Sequence, residues 1–249
     1  MAISHYIEGD LTLNIARGLT RAIPKHIVGA VPAMSQSQTG TVWDVNDTLY
    51  PWSAFDTAGV LTIPAVNASD NGSTVTVFGL DENYALQTEE FVASSSGTTT
   101  GTKTFKRVYR AFFTDEGSTN VGNIDVQRAG TTVLRITAGK AQTLMAVYTV
   151  PAGYTAYLMK GAMSCQAGAD ATGNMFVRYA DQNSFRIGHT FEVSGTGGEY
   201  VYDFSVPIAI PEKSDIDIRA TVRSNNARLT AAFDMILIPS KYNPPTLGS

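Results

Sequence analysis

Residues 215–223 alternate without a break between two kinds of side chain. Ile216, Ile218, Ala220 and Val222 fall on one side, and Asp215, Asp217, Arg219, Thr221 and Arg223 on the other. A period of two belongs to a β-strand, whose successive side chains point to opposite faces. The pattern predicts one buried face and one wet face. The same grammar recurs along the chain: runs of β-formers at 73–78, 85–92, 103–114, 121–128 and 131–137 are separated by Gly, Asn, Asp and Ser clusters. Arg128-Ala129-Gly130-Thr131 reads as a hairpin turn. Further strands are expected at 143–150 and 154–165, split by the turn signal Pro151-Ala152-Gly153, and at 174–180, 186–193, 199–206 and 228–238. In the last of these, Leu229, Phe233, Met235 and Leu237 point inward. A weak helical pattern is confined to 11–19. Many short strands at this spacing indicate a sandwich or barrel.

With 249 residues the chain is long for one small sandwich and sufficient for two of roughly 100 residues each. The expected fold class is all-β: two consecutive antiparallel β-sandwich, jelly-roll-like domains at 40–140 and 141–239, divided near Gly139-Lys140-Ala141. An extended N-terminal arm at 1–39 precedes them, and a tail at 240–249 follows. Pro24 and Pro32 flank the segment 25–31, and both proline and the residue before it disfavour helix. Ile27 and Val28 in this arm are candidates for docking on a neighbouring subunit.

Charged residues make up only 16 % of the chain, with a formal net charge of −4, where ordinary soluble domains carry about 25 %. A sparsely charged surface suits a protein that covers itself with partners, and the acidic balance argues against nucleic acid as one of them. No stretch approaches the roughly 18 apolar residues of a membrane span, and the first ten residues lack the pattern of a secretory signal. The one cysteine, Cys165, sits in an apolar stretch and reads as a small buried hydrophobe, which fits assembly in a reducing cytoplasm.

Motifs that would carry chemistry are incomplete. Gly97 and Gly101 are separated by three residues where a phosphate loop needs four, and Thr102 intervenes before Lys103. A hairpin loop is the better reading. Lys103, Lys106, Arg107 and Arg110 interleave with Phe105, Val108 and Tyr109, but period two spreads those charges over both faces of a strand. Asp215 and Asp217 share a face with Arg219 and Arg223, which favours a solvated or inter-subunit charge ladder over acid–base work or calcium binding. Asp81, Glu82 and Asn83 read as a turn. His5, His26 and His189 lack a second histidine at metal-ligand spacing, and Glu89, Glu90 and Asp234 offer carboxylates with no pairing logic. No catalytic residue, metal or cofactor is expected. Trp43, Tyr50, Trp52 and Phe55 cluster beside the arm. They read either as a lid on the first core or as an anchor on a neighbour, since Trp and Tyr dominate interface hot spots.

Three stretches carry a resemblance: VTVFGLDENYALQTEE at 75–90, FKRVYRAFFT at 105–114 and VGNIDVQRAGTTVLRITAGKAQTLMAVYTVPAGYTAYL at 121–158. Together they resemble a family of virion structural proteins of tailed bacteriophages, including cyanophages and other aquatic phages. The resemblance covers residues 74–160. It implies a β-rich particle component without catalysis, located in the virion and contacting the major capsid protein or neighbouring virion proteins. A homo-oligomer is expected, with a trimer as the first expectation and no nucleic-acid or membrane partner. Capsid decoration is the leading role. A neck, tail or baseplate piece, or a glycan-binding tail module using Trp43, Trp52, Tyr179 or Tyr200, is the alternative.

Overall fold

The computed structural model describes residues 11–115, 118–166, 168–194, 198–223 and 226–240. After a short helix α1 (Leu11–Ala16) come β1 (Ile23–Met34), β2 (Thr39–Thr41), β3 (Gly59–Ile63), β4 (Thr74–Leu80), β5 (Leu86–Val92), β6 (Thr99–Phe105), β7 (Arg107–Thr114), β8 (Ile124–Arg128) and β9 (Thr131–Ile136). The chain continues through β10 (Val147–Thr149), β11 (Tyr154–Cys165), β12 (Ala171–Arg178), β13 (Arg186–Val193), β14 (Glu199–Ile210), β15 (Asp215–Val222) and β16 (Ala227–Pro239).

The strands pair antiparallel into four sheets. Two of them, in the orders β1-β16-β11-β14 and β10-β15-β12-β13, face each other, and β2 adds to β15. From β11 to β16 the chain crosses between these sheets at each step except the β12–β13 hairpin. Eight strands ordered in this way make a jelly roll. Its core joins Ile27 and Val31 of β1 to Leu158, Met175, Phe191, Ile218 and Phe233. Each such side chain contributes about 1.5–3 kcal/mol by leaving water. The other two sheets, β6-β3-β8-β9 and β5-β4-β7, enclose a second core around Phe55, Leu61, Val77, Phe91, Phe105 and Leu134.

The two cores are nested in sequence. Strands β3–β9 lie between β2 and β10, so the second sandwich is inserted into the jelly roll. This departs from the consecutive division at 40–140 and 141–239. Part of the expected arm is also in the fold. Ile23–Met34 pairs with β16 from Ile23↔Leu237 to Met34↔Ala227. Its prolines are accommodated because Pro24 is the second residue of the strand, and Pro32 lies where the register slips between Val31 and Met34. Strand starts and bulges are places that tolerate a missing N–H. Residues 1–10 of the arm, with His5, and 241–249 of the tail lie outside the described residues.

The insertion is joined to the jelly roll by two antiparallel crossing segments. Val42 O accepts from Ala146 N at 2.8 Å, Asp44 N donates to Leu144 O at 3.0 Å, and Trp43 bridges Met145. The same segments are tied to β15, with Val42 N donating to Ile218 O at 2.8 Å and Ile218 N to Ala146 O at 3.1 Å.

Asp44, on the entering segment, is buried and accepts a hydrogen bond from Thr137 Oγ1 at 2.9 Å. Burial pushes its carboxyl up to about 6, against the hydrogen bond and the nearby Arg135 charge. A carboxyl raised in the folded state contributes stability that is complete below its unfolded value near 3.8 and is lost as pH rises through about 6. Asp44→Asn keeps an acceptor for Thr137 and removes the titration. From pH 4 to 8, melting curves of the native chain are expected to lose on the order of 2–3 kcal/mol relative to the variant. Parallel pH curves would contradict this account of Asp44.

Candidate functional site

The most concentrated chemistry lies where the two sandwiches meet. Strand β15 presents Asp215 and Asp217 away from the Ile216–Ile218 core, and the inserted sandwich packs over them. The two carboxylates are 2 % and 0 % exposed. Arg107 of β7 donates to Asp215 through Nε at 2.8 Å and Nη2 at 3.1 Å. Arg178 of β12 donates to the same carboxylate through Nε at 3.0 Å and Nη2 at 2.6 Å, and Thr149 Oγ1 adds a bond at 2.6 Å. Asp217 accepts from Thr41 Oγ1 at 2.9 Å, Trp52 Nε1 at 3.1 Å and Arg219 Nε at 2.8 Å.

Aromatic rings close the cluster. Arg107 and Arg178 lie 5.5 and 5.3 Å from the Trp52 ring, and Arg178 and Arg219 lie 4.6 and 4.4 Å from Phe185. Tyr50 packs edge-on between Trp43 and Trp52, at 5.2 and 4.8 Å. Burial opposes the charge of Arg107, and the Asp215 carboxylate overcomes it, holding that guanidinium above its ordinary value. All four carboxylate oxygens accept at least one bond from protein donors. Such a carboxylate has little left to offer a proton or a metal. The chemical capacity of this cluster is therefore mechanical: it fixes one sandwich on the other.

The sequence-derived candidates fall into place around it. Trp43, Tyr50, Trp52 and Phe55 are all buried inside the chain, as the lid of the inserted core. Ile27 is buried in the jelly-roll core, while Val28 is half-buried on the opposite face of β1. The expected wet ladder at Asp215 and Asp217 is a correction, since the inserted sandwich excludes water from that face. Arg107 and Trp52 are the partners that sequence reasoning did not connect to it, and no local spacing signals a contact across 108 residues.

The other motifs have local structural roles. Residues 97–104 include the turn and first part of a hairpin strand, latched by Glu89, whose Oε1 accepts from Thr102 N at 2.6 Å and Lys103 N at 3.1 Å. Asp81 Oδ1 accepts from Asn83 N and Ala85 N, both at 2.8 Å, closing a turn. Cys165 is buried, its Sγ bonded to Ala169 O at 2.8 Å and its thiol pushed up by burial. His26 pairs with Asp234. His189 sits among Phe191, Tyr202 and Phe204 at 4.7–5.3 Å between ring centroids, and burial lowers its pKa. Among the described residues, no group of three His, Cys, Asp or Glu side chains is placed to hold a metal ion, and no helix is long and apolar enough to cross a membrane.

No family model matches the chain, and no curated protein matches it. Solved structures that align with it include the infectious bursal disease virus Gt strain, at 13 % identity over 91 % of this chain and 74 % of that one, with a TM-score of 0.24. The crystal structure of the infectious bursal disease virus VP2 subviral particle aligns at 10 % identity over 90 % and 74 %, also with a TM-score of 0.24.

Large apolar side chains are also exposed on the two strands that end the jelly-roll sheets. Ile187 of β13 and Val201, Tyr202 and Val206 of β14 are 58, 44, 41 and 77 % exposed. Strand β14 ends its sheet. Beside it, a cleft of about 430 Å³ opens between β13 and β14, lined by Leu158, Val177, Ile187 and Ile208 with Asp181 and Arg186 at its rim.

Proposed function

We propose that this chain is a non-enzymatic structural subunit of a virus particle, packing against copies of itself and neighbouring subunits. The observation that carries this reading is the exposure of Ile187, Val201, Tyr202 and Val206 on β13 and β14, the strands that end the two sheets of a jelly roll. Exposed apolar side chains grouped on a sheet edge mark an interaction surface. The jelly roll is an architecture used by capsid domains. The sparse charge and the junction that makes one block of two sandwiches support the same reading.

Within it, the finer role is decoration or cement on the head of a tailed bacteriophage, which rests on the resemblance of residues 74–160. The neck, tail and baseplate roles are the alternative. A glycan-binding module is disfavoured, because Trp43 and Trp52 are buried and only Tyr179 and Tyr200 remain half-exposed. Quantitative mass spectrometry of purified particles tests the proposal. A decoration protein is expected at a copy number comparable to that of the major shell protein, and a neck or tail piece at about a dozen copies. Absence of the chain from particles that are otherwise complete would overturn the proposal.

A further inference from the structure

The outward face of the β1-β16-β11-β14 sheet carries an ordered pattern of rows across its four strands. One row reads Val28, Ala232, Ala162, Val201. The next reads His26, Asp234, Lys160, Asp203, a strict alternation of basic and acidic residues. Beyond it lies a third row, Pro24, Ile236, Tyr157, Ala209. The charged row is thus framed by apolar ones. Its side chains are open to solvent, at 65, 42, 43 and 76 % from His26 to Asp203; within the row His26 pairs closely with Asp234, and Lys160 Nζ lies 3.7 Å from Asp203.

We propose that this face packs against the same face of a second copy, about a two-fold axis running parallel to the strands between β16 and β11. Such a rotation reverses the strand order, laying β1 over the partner's β14 and β16 over the partner's β11. Each carboxylate in the row then meets a basic side chain: His26 faces the partner's Asp203, and Asp234 faces the partner's Lys160. An axis along the row itself would set each charge on its own copy. The alternation therefore selects one symmetry operator, as an isologous contact requires. Face-to-face sheets cross at about 30°, which displaces the outer pairs most and leaves Asp234 and Lys160, nearest the axis, in register.

Four strands by three rows give a footprint of roughly 400 Å² per copy. Two copies together therefore reach only about 800 Å², the size of a weak, transient contact. A concentration-dependent dimer follows, reinforced where many copies are held on one surface. The contact deepens the proposed particle role and is compatible with a trimer, because a subunit in a shell meets neighbours around more than one axis. It is read in purified chain, separately from incorporation into particles, so either can fail alone.

The test is sedimentation of the full chain and two charge reversals. Lys160→Glu and Asp234→Lys are each expected to weaken self-association about tenfold or more, since each sets like charges together twice across the axis. Mixed in equal amounts, the two variants are expected to recover the native association, because every interchain pair is then of opposite sign. Val201→Arg, at the exposed end of the apolar row, is expected to reduce association with either. A native chain that stays monomeric at every concentration, or a mixture no tighter than the separate variants, overturns the proposal.

Discussion

Replacing Asp215 by alanine is expected to destabilise the chain by roughly 3–5 kcal/mol. The native carboxylate is 2 % exposed and satisfies two guanidiniums and a threonine hydroxyl at once. Its removal takes from Arg107, itself 7 % exposed, the carboxylate with which it pairs. A buried charge without a partner costs several kcal/mol, whereas a pair replaced by apolar groups of similar volume costs little. The double variant Asp215→Ala with Arg107→Met is therefore expected to recover a large part of the loss, and the recovered fraction measures the coupling of the two sandwiches. Asp217→Ala should cost less, because Asp217 holds one guanidinium where Asp215 holds two, and Arg219, more exposed than Arg107, keeps its stacking on Phe185. Urea unfolding followed by Trp fluorescence reads all three, since Trp52 touches both arginines of the Asp215 cluster. A loss below about 1 kcal/mol for Asp215→Ala would mean that the junction is wetter than its geometry implies.

How much of this was legible in the sequence depends on the range of the cause. Strands whose pattern is local were readable to the residue: the expected 154–165 and 186–193 are the observed β11 and β13, and the turn between 150 and 154 has Gly153 at φ 79°. The 103–114 run has the pattern of one strand and forms two, broken at Lys106. The alternation in 215–223 correctly separated Asp215 and Asp217 from Ile216 and Ile218. It did not show that both faces are buried. Period two assigns residues to faces; what covers each face is decided by the rest of the chain. Here the cover is a sandwich whose arginine arrives from 108 residues away. The same limit hid the nesting. Pairing of β1 with β16 joins residues such as His26 and Asp234, 208 positions apart, and leaves no local trace. The prolines in β1 then tipped the local reading towards a free arm. Trp43, Tyr50, Trp52 and Phe55 are buried in the inserted core, a placement that follows from the crossing segments that carry Trp43 between the two cores.

Gly29 gives the sharpest consequence of that nesting. A Cβ at this position would meet Val42 O at 2.2 Å, Ala146 N at 2.4 Å and Ala146 Cβ at 2.8 Å. These atoms belong to the two segments that carry the chain into and out of the inserted sandwich, and they are already bonded to each other and to β15. Two of the three are backbone, so no rotamer change relieves the clash. Either β1 must leave its register against Ala231 or the crossing pair must separate. Overpacking a tight site commonly costs 1–3 kcal/mol and more when nothing can move. Gly29→Ala is expected at or above about 3 kcal/mol, a drop in melting temperature of roughly 6–12 °C for a chain of this size. Gly29→Val should prevent accumulation of folded protein. Gly97→Ala, at a position with nothing within 4 Å, serves as the control and should stay within about 0.5 kcal/mol of native. An N-terminal arm free of the fold would make Gly29→Ala as silent as the control. The difference between the two melting temperatures therefore measures directly whether β1 is a structural member of the jelly roll.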